Sequence, residues 1–242
     1  SFFAPALLHC NSMVNFLSIF IGFVISLLLI FIPFIIITPL ERCFPLHPEQ
    51  KIFRKQFWND VLLHHVMNNI IVTYGSIVFF AVTFGLLSYM LNAPFHDALQ
   101  SQPLPARIIE AVIIADICGY FAHRLVHTVP CLWRFHSVHH SIQEMDWVAG
   151  IRNHPIDVLV ERAVQAVPVV LLGFNFTDTA IVFTVIGLIG IFAHSNIKWT
   201  FGPLYYFYVT PMYHHVHHSG EKRHYDKNFA GIFPFIDMIF GT

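Results

Sequence analysis

Two long stretches without Lys, Arg, Asp or Glu limit the folds that this chain can adopt. Residues 14–37 are apolar apart from Asn15, Ser18 and Ser26, and residues 61–91 contain none of the four charged residue types. A helix that crosses a bilayer needs about 20 consecutive apolar residues, so each stretch predicts a membrane helix. Of the 242 residues only 11% are charged, whereas soluble domains have about 25%. The chain is therefore expected to be integral to a membrane.

The loops between the apolar stretches predict their orientation. The loop 41–60 carries Arg42, Lys51, Arg54 and Lys55, and the loop 92–105 has no Lys or Arg. Lys and Arg are enriched in cytoplasmic loops, so the first loop is predicted to be cytoplasmic and the second to lie outside.

The predicted architecture is all-α and integral to the membrane, with about four transmembrane helices and a cytoplasmic helical cap. Its predicted parts are spanning helices at 14–38, 61–91 and 106–122, a helical hairpin at 158–193, and a cytoplasmic catalytic cap formed by 123–157 and 194–242. The hairpin is interrupted by charged residues and proline, so both a full crossing and a shallow insertion stay open. Pro39 is expected to end the first helix.

Histidine is unusually frequent: the chain has 17 histidines and 13 Lys and Arg together. An imidazole is costly in a membrane unless it binds something, and neutral imidazole is the commonest metal ligand in proteins. This excess predicts a metal site.

Other site types are excluded or disfavoured. The net charge is -1 and no basic stripe is present, so nucleic acid is not an expected partner. The four cysteines form no CxxC pair, and they are expected to be free thiols.

Three histidine boxes predict where the metal binds. They are His123-Arg-Leu-Val-His127, His136-Ser-Val-His139-His140 and His214-His-Val-His217-His218. Spacings of three and four place imidazoles on one helical face. The boxes supply eight imidazoles without His215, which falls on a different side of its helix. A tetrahedral zinc needs only four ligands, so the boxes predict two metal ions.

A lone histidine outside the boxes, His194, ends an apolar helix just before the third box and is expected to be a further ligand. The predicted ligands are thus His123, His127, His136, His139, His140, His194, His214, His217 and His218. For His154 a ligand role and a hydrogen bond at a helix start before Pro155 are about equally favoured.

Carboxylates should support these ligands, because a metal-bound histidine usually donates its other N–H to one. Asp116 is the best candidate, since Asp116, Tyr120, His123 and His127 form one helical stripe. Asp226 and Asp237 are weaker candidates. Asp116, Tyr120 and Asp226 are accordingly the predicted catalytic residues.

The boxes occur in the order HxxxH, HxxHH and HxxHH, and this pattern resembles the fatty acid hydroxylase and sterol desaturase superfamily of membrane di-iron enzymes. The resemblance covers 39–242 and extends to further segments: 41–48 (ERCFPLHP), 152–155 (RNHP), 210–214 (TPMYH) and 228–242. Asp157, Ala230 and Ile236 depart from the residues usual in the family, which leaves the subfamily open but does not touch the boxes.

The resemblance implies two irons, with zinc as a possible substitute, and O2-dependent hydroxylation or desaturation of an aliphatic C–H bond in a lipid that enters from the bilayer. It also implies that electrons come from a separate carrier of the cytochrome b5 or ferredoxin type. The sequence contains no GxGxxG and no CxxCH, which agrees with a reductant supplied in trans. Endoplasmic reticulum and bacterial inner membrane both stay open as locations.

Two rival interpretations remain at this point. A histidine-rich membrane protein can be a zinc transporter, but transporters place their ligands near the middle of the bilayer, whereas these boxes follow the apolar stretches. A homologue without catalytic activity that keeps a structural metal is the second rival.

Overall fold

The computed structural model describes residues 27–71 and 93–242, together with the isolated positions 21, 22, 24, 25, 75, 78 and 82. The all-α class is confirmed for this part of the chain, where the regular elements are helices and the β contact is an isolated bridge between Pro45 and Ile197. Much of the predicted spans 14–38 and 61–91 lies outside the described residues, so the bundle of transmembrane helices stays a prediction.

The first described helix, α1 (Phe31–Cys43), continues through Pro39, and the prediction that Pro39 ends it was wrong. A proline removes one backbone hydrogen bond, but the turn after it is anchored by Glu41. The Glu41 carboxylate accepts hydrogen bonds from the backbone N–H groups of Trp147 and Asn196, each at 2.9 Å. This anchor ties α1 to two segments that lead to the metal-site histidines.

A short helix, α2 (Phe57–Asn59), continues into π-helical turns at Asp60–His65. Asp60 is buried and accepts hydrogen bonds from Arg54 and Arg152 at 2.7 to 2.9 Å. Arg54 also pairs with buried Asp146, at 2.8 and 2.9 Å. These four side chains form a buried ion network. It joins the segment 54–60 to the loop 146–152.

The long helices form the main packing unit. Helix α3 (Ala93–Gln100) precedes α4 (Leu104–Thr128), which packs against α6 (Pro155–Leu171) and α7 (Phe176–Ala193). Small side chains at Ala111 and Ala115 let the helices approach closely, and Val169 and Val182 fill the same core cluster. Helix α4 runs six residues past the predicted boundary at 122, so His123 and His127 lie on its last turns.

A short connection joins α6 to α7, and α7 begins with a capping box. The Asn175 side chain accepts from the backbone of Asp178, and Asp178 accepts in return from the backbone of Asn175. Asp178 also pairs with Arg107 of α4 at 3.1 Å. The two helices lie where the sequence predicted the hairpin 158–193.

Among the helices that the structure describes, α7 alone is long and apolar enough to cross a membrane, with 22% of its residues buried. The described cysteines, Cys43, Cys118 and Cys131, are free thiols, as predicted, whereas Cys10 lies outside the described residues.

Candidate metal centre

The first two boxes are brought together by a proline-directed turn. His123 and His127 lie one turn apart near the end of α4. Pro130 occupies the first position of α5 (Pro130–His136), which delivers His136 at its end. A 3-10 turn at His139–Ser141 then places the remaining two histidines of the second box.

The later histidines come from two helix ends. His194 is the C-cap of α7. Helix α8 (Pro211–His217) starts with Thr210, whose hydroxyl accepts from the backbone N–H of Tyr213 at 3.1 Å. This cap explains the Thr-Pro pair that precedes the third box, because it fixes the first turn of a helix only seven residues long.

All nine predicted ligands meet in two adjacent groups. Within each group the potential ligand atoms lie within 4.8 Å of one another. The five-histidine cluster contains His123, His127, His136, His140 and His217, and the four-histidine cluster contains His139, His194, His214 and His218. The rings of His140 and His218 stack across the two clusters, with centroids 4.4 Å apart.

Hydrogen bonds fix the tautomer of several of these rings. Nδ1 of His123 lies 2.9 Å from the Phe229 carbonyl oxygen, and Nδ1 of His139 lies 3.0 Å from the carbonyl of Arg152. His194 and His217 make equivalent contacts to the carbonyls of Gly190 and Lys227, at 2.7 and 2.8 Å. A carbonyl oxygen can only accept, so Nδ1 carries the proton and Nε2 keeps a free lone pair.

These lone pairs have no donor to satisfy them. Nε2 of His123, His127, His136, His140 and His217 is buried without a hydrogen-bond partner. In the four-histidine cluster, Nε2 of His194 lies 3.0 Å from Nε2 of both His139 and His214. His139 and His194 both have their proton on Nδ1, so these Nε2 atoms face each other lone pair to lone pair. A cation between them removes this conflict, and the donor set therefore fits two metal ions.

Burial favours the neutral, ligating form of several of these histidines. Burial, with the neighbouring His123 and His139, lowers the pKa of His127 to about 3. Burial likewise lowers the pKa of His139 to about 4, although its hydrogen bond to Arg152 opposes the shift. Neutral imidazole is the form that binds metal, so no proton competes for these sites near neutral pH.

The carboxylate that orients a ligand is Asp157, not Asp116. Nδ1 of His136 lies 2.9 Å from the Asp157 carboxylate, and both side chains are buried. Asp116 instead accepts from the backbone N–H groups of Ile232 and Phe233, at 2.9 and 3.0 Å. Its place in the helical stripe was predicted correctly, but the C-terminal segment folds over it and uses both oxygens. Asp116 thus fastens that segment to α4.

The remaining predicted carboxylates act at a greater distance. Asp226 lies 3.9 Å from Nδ1 of His127, which is too long for a hydrogen bond. Asp237 accepts from the backbone N–H of Phe229 at 2.8 Å, and the Phe229 carbonyl in turn meets His123. Asp237 therefore supports His123 indirectly, by holding Phe229, whose carbonyl oxygen lies against Nδ1 of His123.

Tyr120 does not contact the histidines by a hydrogen bond. Its hydroxyl lies 2.9 Å from the Thr242 hydroxyl and accepts from Arg124 at 3.2 Å. The ring is fully buried and stacks on Phe240. Its observed role is to pack the C-terminal helix α9 (Phe235–Phe240) against α4.

His154 and His215, which are not among the nine predicted ligands, form hydrogen bonds outside the two clusters. His154 is the N-cap of α6, where Nδ1 accepts from the backbone N–H of Ile156 at 3.1 Å. Nε2 of His215 lies 3.0 Å from the carbonyl of Ser195, outside both clusters. The hydrogen-bonded helix start is thus the interpretation of His154 that the structure favours.

Sequence reasoning missed Arg152 as a support of the site. Its carbonyl orients His139, and its guanidinium is fixed by Asp60 within the buried ion network. The Arg-Asn-His-Pro segment was noted as similar to the family. The role of Arg152 could not be read from it, because its partner Asp60 is 92 residues away in the sequence.

A cavity of about 210 Å³ opens between α4, α6 and α7 and reaches both histidine clusters. His123 and His136 of the first cluster and His139, His194 and His214 of the second form part of its wall. A small molecule in this cavity would touch the face of the metal centre that the helices enclose.

Comparison with known proteins decides the family. The family model for fatty acid hydroxylases matches residues 108–242, which contain all nine histidines of the two clusters. The chain belongs to the fatty acid hydroxylase family. The resemblance inferred from the histidine boxes is therefore confirmed.

Several curated relatives of this fatty acid hydroxylase family member act on lipids by name. Ornithine lipid hydroxylase OlsE of Rhizobium tropici is 33% identical over 141 residues, which are 58% of this chain and 42% of the relative. Human alkylglycerol monooxygenase is 28% identical over 144 residues, 54% of this chain and 29% of the relative. Rat methylsterol monooxygenase 1 is 30% identical over 139 residues, 57% of this chain and 46% of the relative.

The chain spans less than half the length of each of these three relatives. No solved structure matches the chain.

Proposed function

We propose that this chain is a membrane-bound oxidoreductase that uses two irons and O2 to hydroxylate or desaturate an aliphatic C–H bond of a membrane lipid. The observation that carries the proposal is the convergence of nine buried or half-buried imidazoles on two adjacent points, where five Nε2 atoms have no hydrogen-bond partner and others face one another. One tetrahedral structural metal would use four such ligands, so the set is suited to a two-metal centre.

Two irons held by these histidines would supply the activation of O2. For hydroxylation the balance is one oxygen atom into the C–H bond and one into water, with two electrons and two protons from outside. For desaturation two C–H bonds are lost and both oxygen atoms leave as water, again with two electrons and two protons from outside. The chain itself has no haem or flavin motif, so a separate one-electron carrier of the cytochrome b5 or ferredoxin type is proposed as the donor.

The protein contributes orientation and exclusion of water. Fixed Nδ1–H donors to Phe229, Arg152, Gly190 and Lys227 hold the rings in one rotation and keep Nε2 available. The centre is enclosed by α4, α6 and α7, and the cavity beside it admits only a small part of a substrate. Oxidation can thus be directed to the carbon that enters the cavity.

Membrane binding follows from the apolar exterior. Ile35 of α1 exposes 69% of its surface, and Phe31, Ile32 and Ile36 are also exposed. Together with the apolar helix α7, of which only 22% of the residues are buried, this surface is suited to lipid rather than water. The proposed location is a membrane, with the metal centre on the cytoplasmic side.

The names of the relatives support a lipid substrate. One is a hydroxylase of ornithine lipid, and the others are monooxygenases of alkylglycerol and of methylsterol. We carry over only the common element, oxidation of a membrane lipid.

A zinc transporter and a metal-binding homologue without activity are the rivals. A transporter must release its ion, whereas hydrogen bonds to backbone carbonyls hold Nδ1 of His123, His139 and His217 in place. This rigidity favours a resident metal over a transported one.

The decisive experiment expresses the chain in iron-supplemented cells and compares lipid extracts with those of His139→Ala. Oxygenated or desaturated lipids that depend on the chain, and that disappear in the variant, would support the oxidoreductase. Unchanged lipids together with zinc flux that depends on His139 would support a transporter. Stoichiometric metal with neither effect would support the inactive homologue.

A further inference from the structure

Five glycines contribute to the wall of the cavity at the metal centre. They are Gly119, Gly150, Gly187, Gly190 and Gly231. At the first, second and last of these, an added Cβ would lie 2.5 to 3.0 Å from the side chain of Gln165, His194 or Asp116. A real Cβ essentially never lies closer than 3.0 Å to another heavy atom. Packing around the cavity therefore accounts for these three glycines.

The two glycines of α7 face open space instead. A Cβ added at Gly190 would meet no atom of the described residues within 4 Å. A Cβ added at Gly187 would meet only Nη2 of Arg162, at 3.9 Å, which is an ordinary van der Waals contact. The packing of the described residues thus does not account for the missing side chains at these two positions.

Close packing between helices does not account for them either. Glycine inside a helix is less favourable than alanine, and membrane helices commonly use it where a neighbouring backbone approaches closely. Such an approach would place backbone atoms near the added Cβ. Gly190 has no such neighbour among the described residues, and the neighbour of Gly187 is the tip of a side chain. The space is therefore left for an occupant other than the described parts of the chain.

This space leads to the metal centre. Gly187, Gly190 and His194 are spaced by three and four residues, so they share one face of α7. Ile186 and Ile191 line the cavity beside them. The α7 slot, defined by Ile186, Gly187, Gly190 and Ile191, is thus an apolar surface that continues to a histidine of the four-histidine cluster.

The metal end of the cavity contains an unsatisfied ligand atom. His136 lines the cavity, exposes 2% of its surface, and has a buried Nε2 without a hydrogen-bond partner. This atom faces a metal in the proposed centre. A molecule in the α7 slot would therefore lie beside the two metals.

The charged groups of the opposite wall compensate each other. Glu161 and Arg162 of α6 are adjacent, and their opposite charges attract within the protein. The guanidinium carbon of Arg162 also lies 4.6 Å from the centroid of the Phe183 ring. These charges do not require a charged ligand, so the α7 slot decides what the cavity accepts.

Size and polarity limit the occupant of the slot. The cavity has a volume of about 210 Å³, whereas sites for ligands of drug size have about 300–1,000 Å³. Only one section of a lipid fits into it. An apolar wall without side chains at two positions favours an unbranched aliphatic chain over a polar headgroup, which would lose its hydrogen bonds to water. A fused ring system is broader than such a chain.

We propose that Gly187 and Gly190 are specificity-determining residues, because the slot that they leave on α7 holds an unbranched aliphatic chain of the substrate against the metal centre. The oxidised carbon then lies within an alkyl or acyl chain and not in a fused ring or a polar headgroup. This inference rests on the proposed function and deepens it by naming the part of the lipid that is oxidised.

Stability and metal content test whether the space at Gly190 is free. Gly190→Ala should keep or raise the Tm of the purified chain, because alanine favours the helix and its methyl group meets no described atom. The variant should also keep the metal content of the wild type. A lower Tm or a loss of metal would make Gly190 part of the support of the centre and overturn the proposal.

Binding can be measured without turnover. The chain is melted in a surfactant with a fluorinated chain, which does not mimic a hydrocarbon, together with stearyl alcohol or cholesterol. The expected result is a rise in Tm with stearyl alcohol alone. Gly190→Leu should remove this rise and Gly190→Ala should reduce it, so the test does not depend on the larger variant alone.

Gly22→Leu is the matched control for the binding test. Gly22 lies in the first apolar stretch, and its added Cβ also meets nothing within 4 Å, but it is not part of the cavity wall. This variant should retain the rise in Tm. An equal rise with cholesterol, or a rise with stearyl alcohol that both Gly190 variants retain in full, would overturn the proposal.

The products provide a second test. Gly190→Leu should lower the amount of oxidised lipid per metal-loaded chain by about 10-fold or more, and Gly22→Leu should not. Mass spectrometry should place the new oxygen or double bond in an unbranched chain. Oxidation of a ring or a headgroup, or undiminished product in Gly190→Leu, would overturn the inference and leave the proposed function standing. A metal-loaded, reduced wild-type chain that oxidises no lipid would contradict the proposed function, and the binding test would still decide the role of the slot.

Discussion

The two histidine clusters are built from the same ligand type but are supported differently. In the five-histidine cluster a buried carboxylate, Asp157, contacts the ligand His136 directly. In the four-histidine cluster the contacts to His139 and His194 come from backbone carbonyls. The carboxylate of Glu41 acts on this cluster indirectly, by accepting from the backbone N–H groups of Trp147 and Asn196. The two clusters are therefore not equivalent: the five-histidine cluster adds the Asp157 carboxyl to the backbone carbonyls of Phe229 and Lys227, whereas the contacts described for the four-histidine cluster are backbone carbonyls.

Removing one ligand from each cluster should give the largest effects. His217→Ala and His214→Ala alter the same helix but different clusters. We expect each to abolish lipid oxidation and to lower the metal content from near two per chain toward one, because each removes a ligand that its metal needs. Elemental analysis of both variants checks this.

His215→Ala is the matched control, since it lies on the same helix outside both clusters. It should keep the metal content of the wild type. If all three variants lose both metals equally, the clusters are not separate positions.

The next largest effect should come from breaking the buried ion network, and it should lower the stability of the whole chain. Arg152→Met leaves Asp60 without one of its two arginine partners. Breaking a buried pair in this way costs about 3–5 kcal/mol. We expect a large fall in the free energy of unfolding, measured by denaturation in detergent.

The exposed pair of Arg223 and Glu221 offers the control. Arg223→Met should change the free energy of unfolding by less than about 1 kcal/mol, because exposed pairs contribute little. Similar losses in both variants would argue against the network as the support of His139.

Asp157→Asn should affect one cluster only. Loss of such a carboxylate typically lowers metal affinity or activity about 10–100-fold. We therefore expect weaker binding of one of the two metals, measured by competition with a chelator, with the other metal retained. Equal weakening of both metals would remove the proposed inequivalence.

The last effect should come from Glu41 and should be visible as a dependence of stability on pH. Burial raises the pKa of Glu41 from 4.5 to about 7 in the folded chain, against two backbone hydrogen bonds and Arg42 that lower it. Between pH 4.5 and about 7 the folded state keeps a proton that the unfolded state has lost, so this contribution to stability falls as pH rises. Its total is at most about 3 kcal/mol.

The Glu41→Gln variant isolates that contribution because its side chain can still accept both N–H groups but does not titrate. Relative to the wild type it should gain stability between pH 5 and pH 8, measured as the difference in Tm at each pH. A constant difference across this interval would contradict a raised pKa.

The sequence predicted which histidines meet better than it predicted the residues that support them. All nine histidines that meet in the two clusters were predicted from spacing and from the position of His194, because ligands three or four residues apart share a helical face. Asp116 fits the same spacing rule yet bonds to the C-terminal segment, since spacing gives the face of a helix but not what packs against it. Asp157 was noted only as a departure from the family. Its contact with His136 and the role of Arg152 were not predicted because they depend on contacts between separate segments. The continuation of α1 through Pro39 depends on such contacts as well.

The most direct test of the account is the anomalous scattering of the iron-loaded chain in a crystal. The account predicts two peaks, one enclosed by the five-histidine cluster and one by the four-histidine cluster, each within bonding distance of Nε2 atoms. A single peak shared by both clusters, or metal bound outside them, would contradict the two-metal centre on which the proposed function depends.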